Sequence, residues 1–119
     1  MSREEVIKYI ASEYGITPEF LWGGDKITCV FRHIGTKKWF GILMMIPGSK
    51  ISLSSDEPVD ILNVKLEPEF IQELLVAKKG QIFPAWHMNK KHWTTIVLDP
   101  KNDCALTQSL IHESFRLTN

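Results

Sequence analysis

Pro84-Ala85-Trp86-His87-Met88-Asn89-Lys90-Lys91-His92-Trp93 places two Trp, two His, two Lys and one Asn within ten residues. Thr94-Thr95-Ile96-Val97-Leu98 follows it and reads as a strand, because β-branched side chains suit a pleated, half-buried surface. A dense polar and aromatic run leading into a strand has two readings. In one, the Trp rings are core, the lysines are solvated and Asn89 makes a turn. In the other, the run is a binding loop held by a rigid scaffold, where functional residues concentrate.

Upstream of that run, Glu67 to Lys79 reads as a helix. Pro68 suits its first turn, Phe70, Ile71, Leu74 and Leu75 form its apolar stripe, and Gly80 stops it. Glu67, Glu69 and Glu73 near its start and Lys78-Lys79 at its end complement the helix dipole. That is a sufficient structural reason for both lysines. Before the helix, Val59 to Lys65 reads as a strand, and Ile51-Ser52-Leu53-Ser54 as a further short one. Lys37 or Lys38 to Ile46 has apolar residues on both faces, which suits a central strand. Gly35-Thr36 marks a hairpin turn back to a strand at Lys26 to His33, with Ile27, Cys29 and Phe31 on one face.

At the N-terminus, Ser2 and Glu5 have the spacing of a capping box for a helix reaching Tyr14, closed by Gly15. Trp22 reads as core beside Phe20 and Leu21, before a turn at Gly23-Gly24-Asp25. At the other end, Trp93 to Asp99 is the last strand. Asp103 caps a final helix whose stripe includes Leu106, Leu110, Ile111 and Leu117. The order predicts one α+β domain over residues 1–119, two-layer, with an antiparallel sheet and its helices segregated to one face.

The 119 residues and 44% hydrophobic content support a single packed core rather than a disordered chain. Net charge is zero, which by itself argues against a nucleic-acid binder. The distribution argues the other way. Residues 26–55 contain no Asp or Glu but hold Lys26, Arg32, Lys37, Lys38 and Lys50. Residues 74–98 again lack acids and hold Lys78, Lys79, Lys90 and Lys91. A neutral chain with segregated charge can steer partners through a local field.

Cys29 and Cys104 have no metal-like spacing and suggest no disulfide framework. Met1 to Glu5 lacks the pattern of a signal peptide, and the apolar run Phe40 to Pro47 is too short to span a bilayer. A cytoplasmic protein without membrane contact is expected. No Gly-rich phosphate loop, nucleophile elbow or metalloprotease motif is present. His87 and His92 are five residues apart, which does not place two ligands on one helix face, and His33 joins them only if the fold brings the hairpins together. No enzyme, cofactor or metal is expected.

His87-Met88-Asn89-Lys90-Lys91-His92-Trp93 resembles the signature of the MmcQ/YjbR-like family. Phe31-Arg32-His33, Lys38-Trp39-Phe40, Ile61-Leu62-Asn63-Val64-Lys65, Pro68-Glu69, Ser109-Leu110-Ile111 and Ser114-Phe115 flank it in the expected order. The resemblance implies a double-wing (YjbR-like) α+β topology and DNA binding.

Two functional expectations follow. The first is a site for duplex DNA. Arg32, His33, Lys37 and Lys38 of the first hairpin and Asn89, Lys90, Lys91 and His92 of the signature run would supply it, with cations on phosphate and Asn89 or His92 on a base edge. The second is a small-ligand or protein-partner module whose aromatic pocket uses Trp39, Trp86 and Trp93. Structurally, Trp39 and Trp93 also read as sheet core, and Trp86 as partly exposed.

Overall fold

A computed structural model describes all 119 residues. In chain order the elements are α1 (Arg3–Tyr14), β1 (Cys29–Arg32), β2 (Trp39–Pro47), β3 (Pro58–Lys65), α2 (Pro68–Ala77), β4 (Ile82–Pro84), β5 (Trp93–Val97) and α3 (Cys104–Thr118), with a 3-10 turn at Gly48–Ile51. The strands form one sheet in the order β1-β2-β3-β5-β4. Every pairing is antiparallel. No helix is long and apolar enough to cross a membrane.

Local chemistry sets the ends of the helices. The Ser2–Glu5 capping box forms at α1, and Gly15 closes that helix at a φ of 67°. Pro68 sits in the first turn of α2. The Asp103 carboxylate accepts from the Leu106 amide at the start of α3. Ser2, Gly15 and Asp103 each satisfy a backbone group that the helix leaves unpaired, whereas Pro68 removes one by lacking an N–H.

All three helices pack on one sheet face. Val6 and Ile10 of α1, Ile71 and Leu74 of α2, and Leu110 and Ile111 of α3 join Cys29, Phe31, Leu43, Leu62, Val64 and Ile96 in the main core. Burying each large side chain stabilises the fold by about 1.5–3 kcal/mol relative to exposure. The opposite face carries no helix. A smaller core of Ile46, Ile51, Ile61 and Val97 lies there, with Leu53 and Trp86 packed against it. Irregular segments, the 3-10 turn and the signature loop, therefore cover the second face.

A β-bulge marks the junction of β1, β2 and α3. Phe31 pairs with Gly41 and Arg32 with Trp39, leaving Phe40 as the extra residue. Phe40 is fully buried against Tyr14, Phe31, His33 and Phe115. The Ser114 hydroxyl donates to the Phe40 carbonyl at 2.7 Å and accepts from the Lys65 amide at 2.9 Å. One helix hydroxyl thus bridges β2 and β3 where direct pairing stops.

Several expectations are corrected. Residues 51–54 form no strand. Gly48–Ile51 is a 3-10 turn ended by Ser52 at a φ of 66°. A Cβ on Gly48 would stand 2.5 Å from the Ser55 carbonyl oxygen, so only glycine fits that turn. The first strand begins at Cys29 rather than Lys26, because the Asp25 carboxylate takes the amides of Ile27 and Thr28. Ile27 is consequently exposed, and Trp22 is 43% exposed rather than core. The last strand stops at Val97, and α2 stops at Ala77 with Lys78 as its C-cap.

His33 is 4% exposed. Its Nε2 lies 2.8 Å from Thr118 Oγ1, and its ring packs on Phe40 and Phe115. Burial pushes the imidazole pKa below its ordinary value of 6.5. Below that value the unfolded chain takes up a proton that the folded chain refuses, so folding weakens as pH falls. The urea midpoint should therefore drop between pH 7.5 and pH 5.5, above the range where carboxylates titrate. In His33→Gln that drop should shrink. An equal drop in the variant would show that His33 is not its source.

Candidate nucleic-acid interface

The signature run connects β4 to β5 across the helix-free face. It is fastened at its start by two buried polar residues of the sheet, Asn63 on β3 and Thr95 on β5, which are cross-strand partners. Thr95 Oγ1 accepts from the Trp86 amide at 2.9 Å. Asn63 Nδ2 donates to the Trp86 carbonyl at 3.0 Å. The Thr95 hydroxyl also donates to Asn63 Oδ1. The clamp therefore holds both backbone groups of Trp86, and every member of it is paired.

Asn89 fixes the far end of the loop. Its Oδ1 accepts from the amides of Lys91 and His92 at 2.9 and 3.1 Å, and its carbonyl accepts from the Trp93 amide. This is the Asx-type turn that short polar side chains favour. The turn leaves Lys90, Lys91 and His92 exposed. Between the two anchors His87 adopts a left-handed φ of 57° and is exposed, its ring 4.4 Å from that of Trp86.

The loop separates two grooves. One, of about 390 Å³, is lined by Trp22, Asp25, Thr28, Trp39, Ile42, Met44, His87 and Met88. The other, of about 430 Å³, is lined by Lys50, Ile51, Ser52, Phe83, Pro84, Ala85, Trp86 and Lys90. Lys50 and Lys90, far apart in sequence, line the same groove as Trp86. Neither Lys50 nor Trp22 was among the residues expected to form a site.

The expected residues divide into three groups. Lys37 and Lys38 at the first hairpin and Lys90, Lys91 and His92 at the loop tip are exposed. Lys37 owes its place to a tight turn, with its own φ at 66°. Arg32 is already engaged: its Nε donates to Glu19 at 2.7 Å and its Nη2 to the other carboxylate oxygen. The shared hydrogen bonds and charge hold the Glu19 pKa below the usual carboxylate range. His33 is core, and the Asn89 side-chain oxygen is spent on the turn, so neither is free to contact a partner through those groups. The three tryptophans do not share a pocket. Trp39 lines one groove and Trp86 the other. Trp93 lies opposite Lys65 on β3, where both are half-buried. The histidines form no cluster with other metal-ligating side chains.

The match to known proteins covers this whole arrangement. The YjbR family profile matches residues 11–117. The chain belongs to the YjbR family. Within it, the Bacillus subtilis (strain 168) protein YyaQ, described as uncharacterised, is 34% identical over 119 residues, covering 99% of this chain and 98% of that one. A Pseudomonas syringae protein solved by crystallography is 38% identical, with a TM-score of 0.93 and full coverage of both chains. Its solution NMR structure gives a TM-score of 0.88 at 39% identity, covering 100% of this chain and 94% of that one. A Deinococcus radiodurans protein of the DUF419 domain type, at 24% identity, shares the fold with a TM-score of 0.72, over 98% of this chain and 77% of that one.

Asn63 was legible in the sequence only as part of the family pattern. Its own signal was present: an Asn inside the apolar run Val59 to Lys65, where strands disfavour that residue. Asn63→Ala leaves the Trp86 carbonyl and the Thr95 hydroxyl without their partner. The expected cost is about 1–3 kcal/mol in urea unfolding, with a red shift of Trp emission at pH 7 as Trp86 loosens. Unchanged stability and emission would remove the clamp from the account.

Proposed function

We propose that this YjbR-family protein binds duplex DNA through the loop-covered face of its sheet and carries no catalytic step. The observation that supports this reading best is the convergence of Lys50 and Lys90 on a groove walled by Trp86 and Phe83. Two lysines in a groove with aromatic walls suit a phosphodiester backbone, whose charge needs cations and whose sugars and bases need apolar contact. Lys91 extends that cationic edge along the loop tip, and Lys37 and Lys38 form a second basic tip at the first hairpin. The double-wing character implied by the family resemblance would correspond to these two projecting tips.

The contact set differs from the one drawn on sequence. Lys50 enters it. Arg32 and His33 leave it, the first because Glu19 already neutralises it and the second because it is buried. Asn89 becomes the residue that presents Lys90 and Lys91 rather than one that reads a base.

Fluorescence anisotropy with a labelled mixed-sequence duplex tests the reading. Binding should weaken steeply with salt, since each neutralised phosphate contributes about 0.9 to the slope of log K against log salt. Lys50→Glu with Lys90→Glu should weaken low-salt binding by about tenfold or more and flatten that slope by roughly two. Affinity unchanged by the pair, or absent from the parent protein at low salt, would overturn the assignment.

A further inference from the structure

The groove on the other side of the loop has different chemistry. No Lys or Arg lines it. Its walls are Trp22 and Trp39, whose rings stand 6.2 Å apart at 72°. Ile42, Met44 and Met88 supply the remaining apolar surface, and Asp25 supplies a carboxylate. Its volume of about 390 Å³ lies in the range of small-ligand sites.

The sequence builds this corner deliberately in physical terms. Trp22 and Asp25 are the ends of a tight turn, closed by the Asp25 amide donating to the Trp22 carbonyl at 3.0 Å. Gly24 supplies the φ of 83° that such a turn requires. Asp25 Oδ1 accepts from the amides of Ile27 and Thr28 at 2.8 and 2.9 Å. The Thr28 amide and hydroxyl, with the Ile27 amide, hold its pKa below the ordinary carboxylate range, so it remains an anion at neutral pH. Trp22 stays 43% exposed, and its neighbours Phe20, Leu21 and Ile27 are exposed with it, a concentration of apolar surface of the kind that marks binding sites.

We infer that this groove binds a small organic cation, of the quaternary or methylated ammonium class, against Trp22, Trp39 and Asp25. Indole faces attract cations through their quadrupole, and paired aromatic walls with a nearby anion recognise methylated ammonium groups. Near-perpendicular rings make a corner that fits a tetrahedral head. A planar base would instead need parallel walls to stack between. The apolar methyls of such a head suit Ile42, Met44 and Met88, where a strongly hydrated ammonium or a phosphate would lose its water without replacement. The inference does not depend on nucleic-acid binding, since Lys50 and Lys90 line the separate groove.

Choline and its neutral isostere 3,3-dimethylbutan-1-ol separate charge recognition from plain apolar binding. Choline titrated into the full chain should give saturable shifts of the Trp22 and Trp39 indole N–H signals in nitrogen–proton NMR spectra. The isostere should bind about tenfold more weakly or worse. Asp25→Asn retains an oxygen for the two amides and so preserves the turn. It should weaken choline binding by a similar factor, and Trp22→Ala should abolish it, with urea midpoints confirming that both variants fold. Equal binding of choline and isostere would overturn the inference, as would unsaturable shifts or an Asp25→Asn variant that binds choline unchanged. Association with phosphatidylcholine vesicles without binding of free choline would also overturn it, in favour of a membrane surface.

Discussion

Asn63 is fully buried in the middle of β3, and its amide is the point from which the loop-covered face is organised. A buried amide with nothing to bond would cost the sheet dearly. Here Thr95 satisfies its oxygen and the Trp86 carbonyl receives its N–H, while the same Thr95 oxygen takes the Trp86 amide. The requirement that these four groups be satisfied together fixes where the chain leaves β4. Residues 87–92 can then run across the sheet without a helix beneath them. The Asn89 turn closes the span, and two grooves with opposite chemistry open on either side of it.

The two faces of the sheet are stabilised by different means. On the helix side the contribution is apolar burial, with a few polar ties such as Ser114 and the His33–Thr118 pair locking α3 to the strands. On the loop side the apolar cluster is small, so hydrogen bonds from side chains to irregular backbone carry more of the specification. That division keeps the loop-covered face free of helices. It lets lysines and tryptophans stand on short turns whose geometry is set by Asn89, Gly24 and Gly48 rather than by regular elements.

Periodicity and caps were enough to place the helices, the hairpins and the segregation of layers. They depend on local rules: the Ser2–Glu5 box, Pro68, Asp103 and the alternation of Cys29 and Phe31 act within a few residues of themselves. What local rules do not reach is pairing at long range. Nothing near Arg32 in sequence announces Glu19 as its partner, and nothing near Lys50 announces Lys90. His33 looked like a surface residue of a basic hairpin, yet the β-bulge at Phe40 and the end of α3 bury it. Trp22 looked like core because its neighbours are apolar, but Phe20, Leu21 and Trp22 are all exposed. Of the two readings of the signature run, the turn at Asn89 is the one its hydrogen bonds show, and that turn leaves Lys90 and Lys91 exposed.

The clamp at its base builds the loop in advance of any partner. Amide hydrogen exchange at Trp86 tests it most directly, because that N–H lies in an irregular segment and is protected only by Thr95 Oγ1. If the clamp holds, Trp86 should exchange on the timescale of the β5 core amides, near the slow limit set by global unfolding. Exchange as fast as that of the exposed amides at Lys90 would contradict the account. The loop would then be ordered by something other than Asn63 and Thr95.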